Sequence, residues 1–182
     1  NYNIGNHLLA IEAFDLYLAS GAEANADAAL YYKALATRAA GVQNGTPRNE
    51  EAVALWEQLI LNYPTSDYYV DAWEDIEYTQ WAYMGEHEAA AETALTYVAQ
   101  RPEAEDAPDF LFLAGRALER GGFLEQASET WMRVASEYPG STEAFRSTYF
   151  AGIARVRLGD WQGAQALFSR ALVLTSEPSE LA

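Results

Sequence analysis

PDFLFLAGRALERGGFLEQASETWMRVASEYPGS, residues Pro108 to Ser141, is the stretch whose reading decides the fold. Leu111 and Leu118 precede a Gly121-Gly122 pair, and Leu124, Trp131 and Val134 follow it. That spacing predicts two short amphipathic helices joined by a tight glycine turn. Tyr138-Pro139 closes the second helix, because the residue before a proline is driven out of the helical region. Ala114 and Gly115 in the first helix and Ala127 in the second are small. They stand where two helices must approach closely, with the large apolar residues filling the space between.

The unit recurs along the chain. Gly85, Gly122 and Gly159 lie 37 residues apart, and Pro64, Pro102 and Pro139 follow nearly in step. With Pro108 as the first position, Leu111, Ala114, Gly115, Leu118, Ala127, Trp131 and Pro139 fall on signature slots of the tetratricopeptide repeat, a helix–turn–helix unit of about 34 residues. The chain resembles that family over essentially its whole length. The resemblance implies an all-α fold, an α-solenoid of antiparallel helix pairs in a right-handed superhelix, with about nine helices. The period of 37 implies longer first helices or longer linkers than the family norm.

Taken in order, residues 5–22 read as a partial repeat, with Ala10 and Phe14 on the small and large slots of a second helix whose first helix is missing. Full repeats follow at 24–64, 67–102, 106–139 and 141–176, so that 1–182 reads as one solenoid and as an excerpt of a longer array. Asp27 to Ala40 is the expected first helix of the earliest full repeat. A polar loop, Gly41 to Asn49, follows, with Asn49 as N-cap of a second helix ending at Asn62. In the next repeat Asp67 to Met84 is the expected first helix. There Glu74, Glu77 and Tyr78 replace the usual large, large and small residues, so either the helix is rotated or Trp73, Ile76 and Trp81 carry its packing.

Composition removes several function classes. The net charge is −16, from 27 acidic and 11 basic residues, a field that repels phosphate backbones and anionic membrane surfaces. Residues 1–100 carry 15 acidic and 3 basic side chains, and 101–182 carry 12 and 8. Lys33 is the only lysine. The arginines are expected to tie helices together through forked pairs with carboxylates. There is no cysteine, which removes disulfides, thiolate catalysis and zinc–thiolate sites. No run approaches the roughly 20 apolar residues that span a bilayer.

No catalytic motif or cofactor signature appears, and a metal site is not expected. His7 and His87 share one packing slot, two residues after a turn glycine, and read as structural. Glu74, Asp75 and Glu77, like Glu103, Glu105 and Asp106, read as solvated acidic stretches, since a catalytic carboxylate needs a desolvated partner. Trp56, Trp131, Phe14 and Phe168 read as core.

Tyr31, Tyr83, Phe112 and Tyr149 fall on first-helix positions that face the concave groove in the repeat family, with Arg38, Arg116, Arg120, Arg146 and Arg157 near them. These nine are the candidate partner-binding residues. They suit a protein or peptide, or the faces of sugar rings. The positions that form a carboxylate clamp in chaperone-binding members hold Tyr31, Leu35, Ile76, Asp109 and Leu113 here. That clamp is absent, and chaperone docking is not expected.

Three segments are also similar to the N-terminal helical arrays of bacterial soluble lytic transglycosylases: GNHLLAIEAFDLYLASGAEANADAALYYKAL (5–35), EEAVALWEQLILNYP (50–64) and SEYPGSTEAFRSTYFAGIARVRLGDW (136–161). The resemblance implies a non-catalytic scaffold in the periplasm or cell envelope that positions a catalytic domain lying beyond Ala182 and contacts peptidoglycan glycan. The rival reading, from a different class, is a free-standing adaptor that binds a peptide in its groove, in the cytoplasm or outside it. Uncapped repeat ends would also favour a dimer.

Overall fold

The computed structural model describes residues 6–176. Its described residues are all-helical and form nine helices: α1 (His7–Ala19), α2 (Ala26–Asn44), α3 (Asn49–Asn62), α4 (Tyr69–Thr79), α5 (His87–Gln100), α6 (Ala107–Gly121), α7 (Leu124–Glu137), α8 (Glu143–Arg157) and α9 (Trp161–Ser176). A π-helical turn, Gln80–Met84, continues α4. The architecture is an α-solenoid of antiparallel helix pairs. No described helix is long and apolar enough to cross a membrane. Gly5, which opens the partial repeat, lies outside the described residues.

The chain divides into two compact units, the first ending at Gly85 and the second beginning at Glu86. In the first, α1 packs on α2, α2 on α3 and α3 on α4. Its core gathers Leu30, Ala34, Ala52, Trp56, Leu59, Ala72 and Ile76, with Trp56 wholly buried. In the second, α5 through α9 each pack on the next, and α6 also touches α8. There Tyr97 and Phe110 stack with ring centres 3.8 Å apart, and the buried Tyr97 hydroxyl donates to Asp106. Trp131, also fully buried, donates its indole N–H to the Phe112 carbonyl at 3.1 Å.

The sequence punctuation acts through the backbone. Tyr63, Arg101 and Tyr138 each precede a proline, and each leaves the helical region with φ near −130° (−132°, −134° and −129°). In each case the amide three residues later closes a turn back onto that residue's carbonyl. At the other junctions Gly85, Gly122 and Gly159 sit at φ +72°, +86° and +77°, where a side chain is strained and glycine is not.

Two expectations need correction. α2 runs on to Asn44, so the helix absorbs half of the expected loop and only Gly45 to Arg48 remains between helices. Gly41 permits this: a Cβ there would meet the Arg48 backbone nitrogen as the chain returns. Asn49 is consequently the first helical residue, not the cap, and is buried with an Oδ1 that accepts no hydrogen bond. The expected helix from Asp67 to Met84 starts at Tyr69 and loses α geometry after Thr79. Trp73 and Ile76 do carry its packing, and Trp81 is half-buried.

The Gly115 position tests the close approach directly. A Cβ at Gly115 would collide with the Trp131 indole. An alanine gains about 1 kcal/mol of helix propensity, but overpacking costs roughly 1–3 kcal/mol. Gly115→Ala is therefore expected to lower unfolding free energy by up to about 2 kcal/mol in urea titration, from the difference of those two effects. Gly140→Ala, where nothing lies within 4 Å of the added carbon, should change it by less than about 0.5 kcal/mol.

Candidate functional site

The first helices of successive pairs form two faces, one in each unit. In the first unit the α2–α4 face is built around one carboxylate. Asp75 accepts from the Tyr31 hydroxyl at 2.8 Å and from Arg38 Nη1 at 3.0 Å. Arg38 Nη1 also reaches Thr79 Oγ1 at 2.8 Å. The guanidinium carbon lies 5.1, 5.8 and 5.4 Å from the ring centres of Trp56, Tyr78 and Tyr83, within cation–π range of all three. The Arg38 and Asp75 side chains are only 15% and 17% exposed. Tyr31 in turn stacks on Tyr68, ring centres 4.9 Å apart. Burial, and then the Asp75 charge, push the Tyr31 phenol well above the ordinary tyrosine range.

This corrects the reading of Glu74, Asp75 and Glu77 as one solvated stretch. Asp75 is the hub of a half-buried network, and Glu77 is 2% exposed in the core face of α4. The polar residues that α4 turns toward α2 are Asp75 and Thr79.

In the second unit the α6–α8 face alternates rings and guanidiniums. Arg146 lies over Phe112 at 4.5 Å, and Arg116 over Phe150 at 5.2 Å. Phe112 and Phe150 meet edge to face, 5.7 Å apart. Arg146 pairs with Glu143 at 2.8 Å and Arg157 with Glu119 at 2.8 Å. Arg116 Nε is buried, lies 3.7 Å from Glu119 and makes no hydrogen bond. Tyr149 is 44% exposed, with its ring 6.4 Å from that of Phe145 in a stacked pair.

The nine candidate residues thus separate. Tyr31, Arg38 and Tyr83 belong to the first face, where Arg38 is enclosed and Tyr83 open to solvent. Phe112, Arg116 and Arg146 come together on the second face, with Phe112 buried beneath Arg146, while the Tyr149 ring lies against Phe150 and against Phe168 of α9. Arg157 lies toward the end of α8, bound to Glu119, and Arg120 is exposed near the end of α6. Of the four expected core aromatics, Trp56 and Trp131 are buried, whereas Phe14 and Phe168 are half-buried. Those two sit on α1 and α9, each covered by one neighbouring helix among the described residues.

Two open clefts lie elsewhere. One, about 590 Å³, is lined by α5 and α7 side chains including Glu92, Thr96, Glu129 and Arg133. The other, about 340 Å³, is lined by Phe14, Tyr17, Ala28 and Tyr32. Among the described residues no group of three or more metal-ligating side chains converges. His87 packs its Cβ toward Gly121.

No family model matches the chain, and no curated protein matches it. Solved structures do. A MamA crystal structure aligns with TM-score 0.62 at 19% identity, covering 100% of this chain and 90% of that one. MamA from Desulfovibrio magneticus RS-1, residue 41 to its end, aligns at 0.56 and 19%, covering 97% and 95%. A structure described as a Podosopora anserina kinesin light chain with nearly identical TPR-like repeats aligns at 0.61 and 18%, covering 98% and 91%. The fold is TPR-like.

Within that TPR-like frame, sequence reasoning missed Asp75, Tyr68, Glu143 and Phe150. Asp75 occupies the same slot of its repeat as Tyr31 and Phe112 do of theirs, and reading that slot across repeats was the available signal.

Removing the hub charge gives a signed pH test. Up to about pH 10, the ordinary tyrosine value, Tyr31 is neutral in both the folded and unfolded chain. Above it the unfolded chain releases the proton that the folded chain retains, so stability falls as pH rises. Asp75→Asn should cost about 1–3 kcal/mol near neutrality by stranding Arg38. It should also make that alkaline loss level off at a lower pH than in the wild type, because burial alone holds the phenol less high, both read from urea titrations.

Proposed function

We propose that this chain is a non-catalytic TPR-like scaffold that holds a protein or peptide partner against its first-helix faces. The observation that carries the reading is the placement of exposed aromatic rings. Tyr78 and Tyr83 in the first unit, and Phe145 and Tyr149 in the second, are 43%, 46%, 38% and 44% exposed, while the cores beneath them are complete. Rings presented in this way beside guanidiniums supply the rigid, amphipathic contact area from which peptide interfaces are built.

The similarity of residues 5–35, 50–64 and 136–161 to transglycosylase arrays names one home for such a scaffold, beside a peptidoglycan-cleaving domain in the cell envelope. That reading rests on those segments alone; the helical architecture fits any TPR-like adaptor equally well. The adaptor is therefore the preferred account.

A randomised twelve-residue peptide library panned against the whole chain tests it. Enriched peptides should bind with dissociation constants in the micromolar range, and Tyr149→Ala or Tyr83→Ala should weaken at least one class by about tenfold, as loss of an interface aromatic does. Retention of the chain on purified glycan strands, with no peptide enriched, would instead favour the transglycosylase scaffold.

A further inference from the structure

We infer that the cleft between α1 and α2 of the first unit is a binding site for a quaternary ammonium group, seated among the rings of Phe14, Tyr17 and Tyr32. The inference goes beyond the peptide reading and does not depend on it. The cleft holds about 340 Å³, within the size range of pockets for one small ligand. Three aromatic rings and three alanines line it, and Asn25 is the remaining lining residue. Two of the rings are braced from behind. The Tyr17 hydroxyl donates to the Ala24 carbonyl. Tyr32 meets Tyr31 and Tyr68 in T-shaped contacts, ring centres 5.4 and 5.6 Å apart. Rings fixed in this way bind with little loss of side-chain freedom.

Charge and donor count together select the occupant. The first unit, residues 1–85, carries 12 acidic side chains against 3 basic ones. All three cations are engaged, Lys33 with Asp15, Arg38 with Asp75 and Arg48 with Glu51. A cleft with apolar walls in such a field concentrates cations, and aromatic ring faces attract them. The kind of cation follows from what the walls lack. Where this chain lays its own guanidiniums on rings it also supplies acceptors: Arg38 has Asp75 and Thr79, and Arg146 has Glu143. Among the described residues no carboxylate lines the α1–α2 cleft. A guanidinium or primary ammonium seated there would strand N–H donors away from water. A quaternary ammonium has no N–H to strand, and its methyl groups suit the rings and alanines. A free solute such as choline and a trimethylated lysine of a partner carry the same group.

The test titrates the whole chain with choline and with its uncharged isostere, in which a quaternary carbon replaces the nitrogen. Binding is followed on the tyrosine ring resonances by ¹H–¹³C NMR. Choline should bind about tenfold more tightly than the isostere, with the largest shifts on Tyr17 and Tyr32. Methylguanidinium, whose donors find no acceptor, should bind no more tightly than the isostere. Tyr32 is 38% exposed, so it can be replaced without opening the core. Tyr32→Leu should reduce the choline preference to below about twofold, and Tyr32→Phe should keep it. Tyr149→Leu, at an exposed ring of the second unit, should also keep it. Should Tyr32→Leu fail to fold, the wild-type titrations decide alone. A trimethyllysine derivative, blocked at both ends, separates the two sources. Binding about tenfold tighter than choline identifies a partner's side chain, and equal binding identifies a free solute. Equal affinity for choline and isostere, shifts confined to other rings, or a preference that survives Tyr32→Leu would overturn the site. Absence of binding by either compound would overturn it too, and would leave the peptide reading to its own test.

Discussion

The contact on which the second unit depends is that between a glycine backbone and an aromatic ring. In the second unit Trp131 of α7 lies against Gly115 of α6, and Phe168 of α9 against Gly152 of α8. A Cβ at either glycine would occupy the ring's place. The absence of that one carbon lets the two helices of a pair close on each other, and the ring converts the close approach into buried area. Trp131 adds an indole hydrogen bond to the Phe112 carbonyl, so its polar edge is satisfied in the core. The glycine turns and the pre-proline breaks then decide only where each pair ends.

The two first-helix faces differ in their polar pairing. On the α2–α4 face Arg38 is ringed by Trp56, Tyr78 and Tyr83 and held by Asp75 and Thr79. Its cation has found its partners, and the network spans two pairs of the solenoid. On the α6–α8 face the groups remain partly unmatched: Arg116 Nε and Glu143 Oε2 are buried without hydrogen bonds. Buried polar atoms that lack partners are costly.

The acidic excess has a related consequence. All three cations of the first unit are engaged within it, Lys33 with Asp15, Arg38 with Asp75 and Arg48 with Glu51. Arg38 ties α2 to α4 through a single nitrogen, whereas Arg48 forks onto Glu51 three residues along the chain. The uncompensated carboxylates are left to set the field that a partner meets, and a partner with cationic groups approaches it favourably.

The all-helical class and most turns between helices were legible in the sequence, because each is set by local chemistry. Gly85, Gly122 and Gly159 favour a positive φ that other residues resist, prolines end helices through their neighbours, and helical apolar spacing marks a buried stripe. The candidate residues were legible as positions on first helices, since periodicity assigns faces. Their partners were not. Whether Asp75 is solvated or holds Arg38, and whether Phe112 is open or covered by Arg146, depend on residues 37 and 34 positions apart. Those distances are set by how tightly and at what rotation two first helices pack. That rotation follows from the volumes of many core side chains together, and no local spacing encodes it.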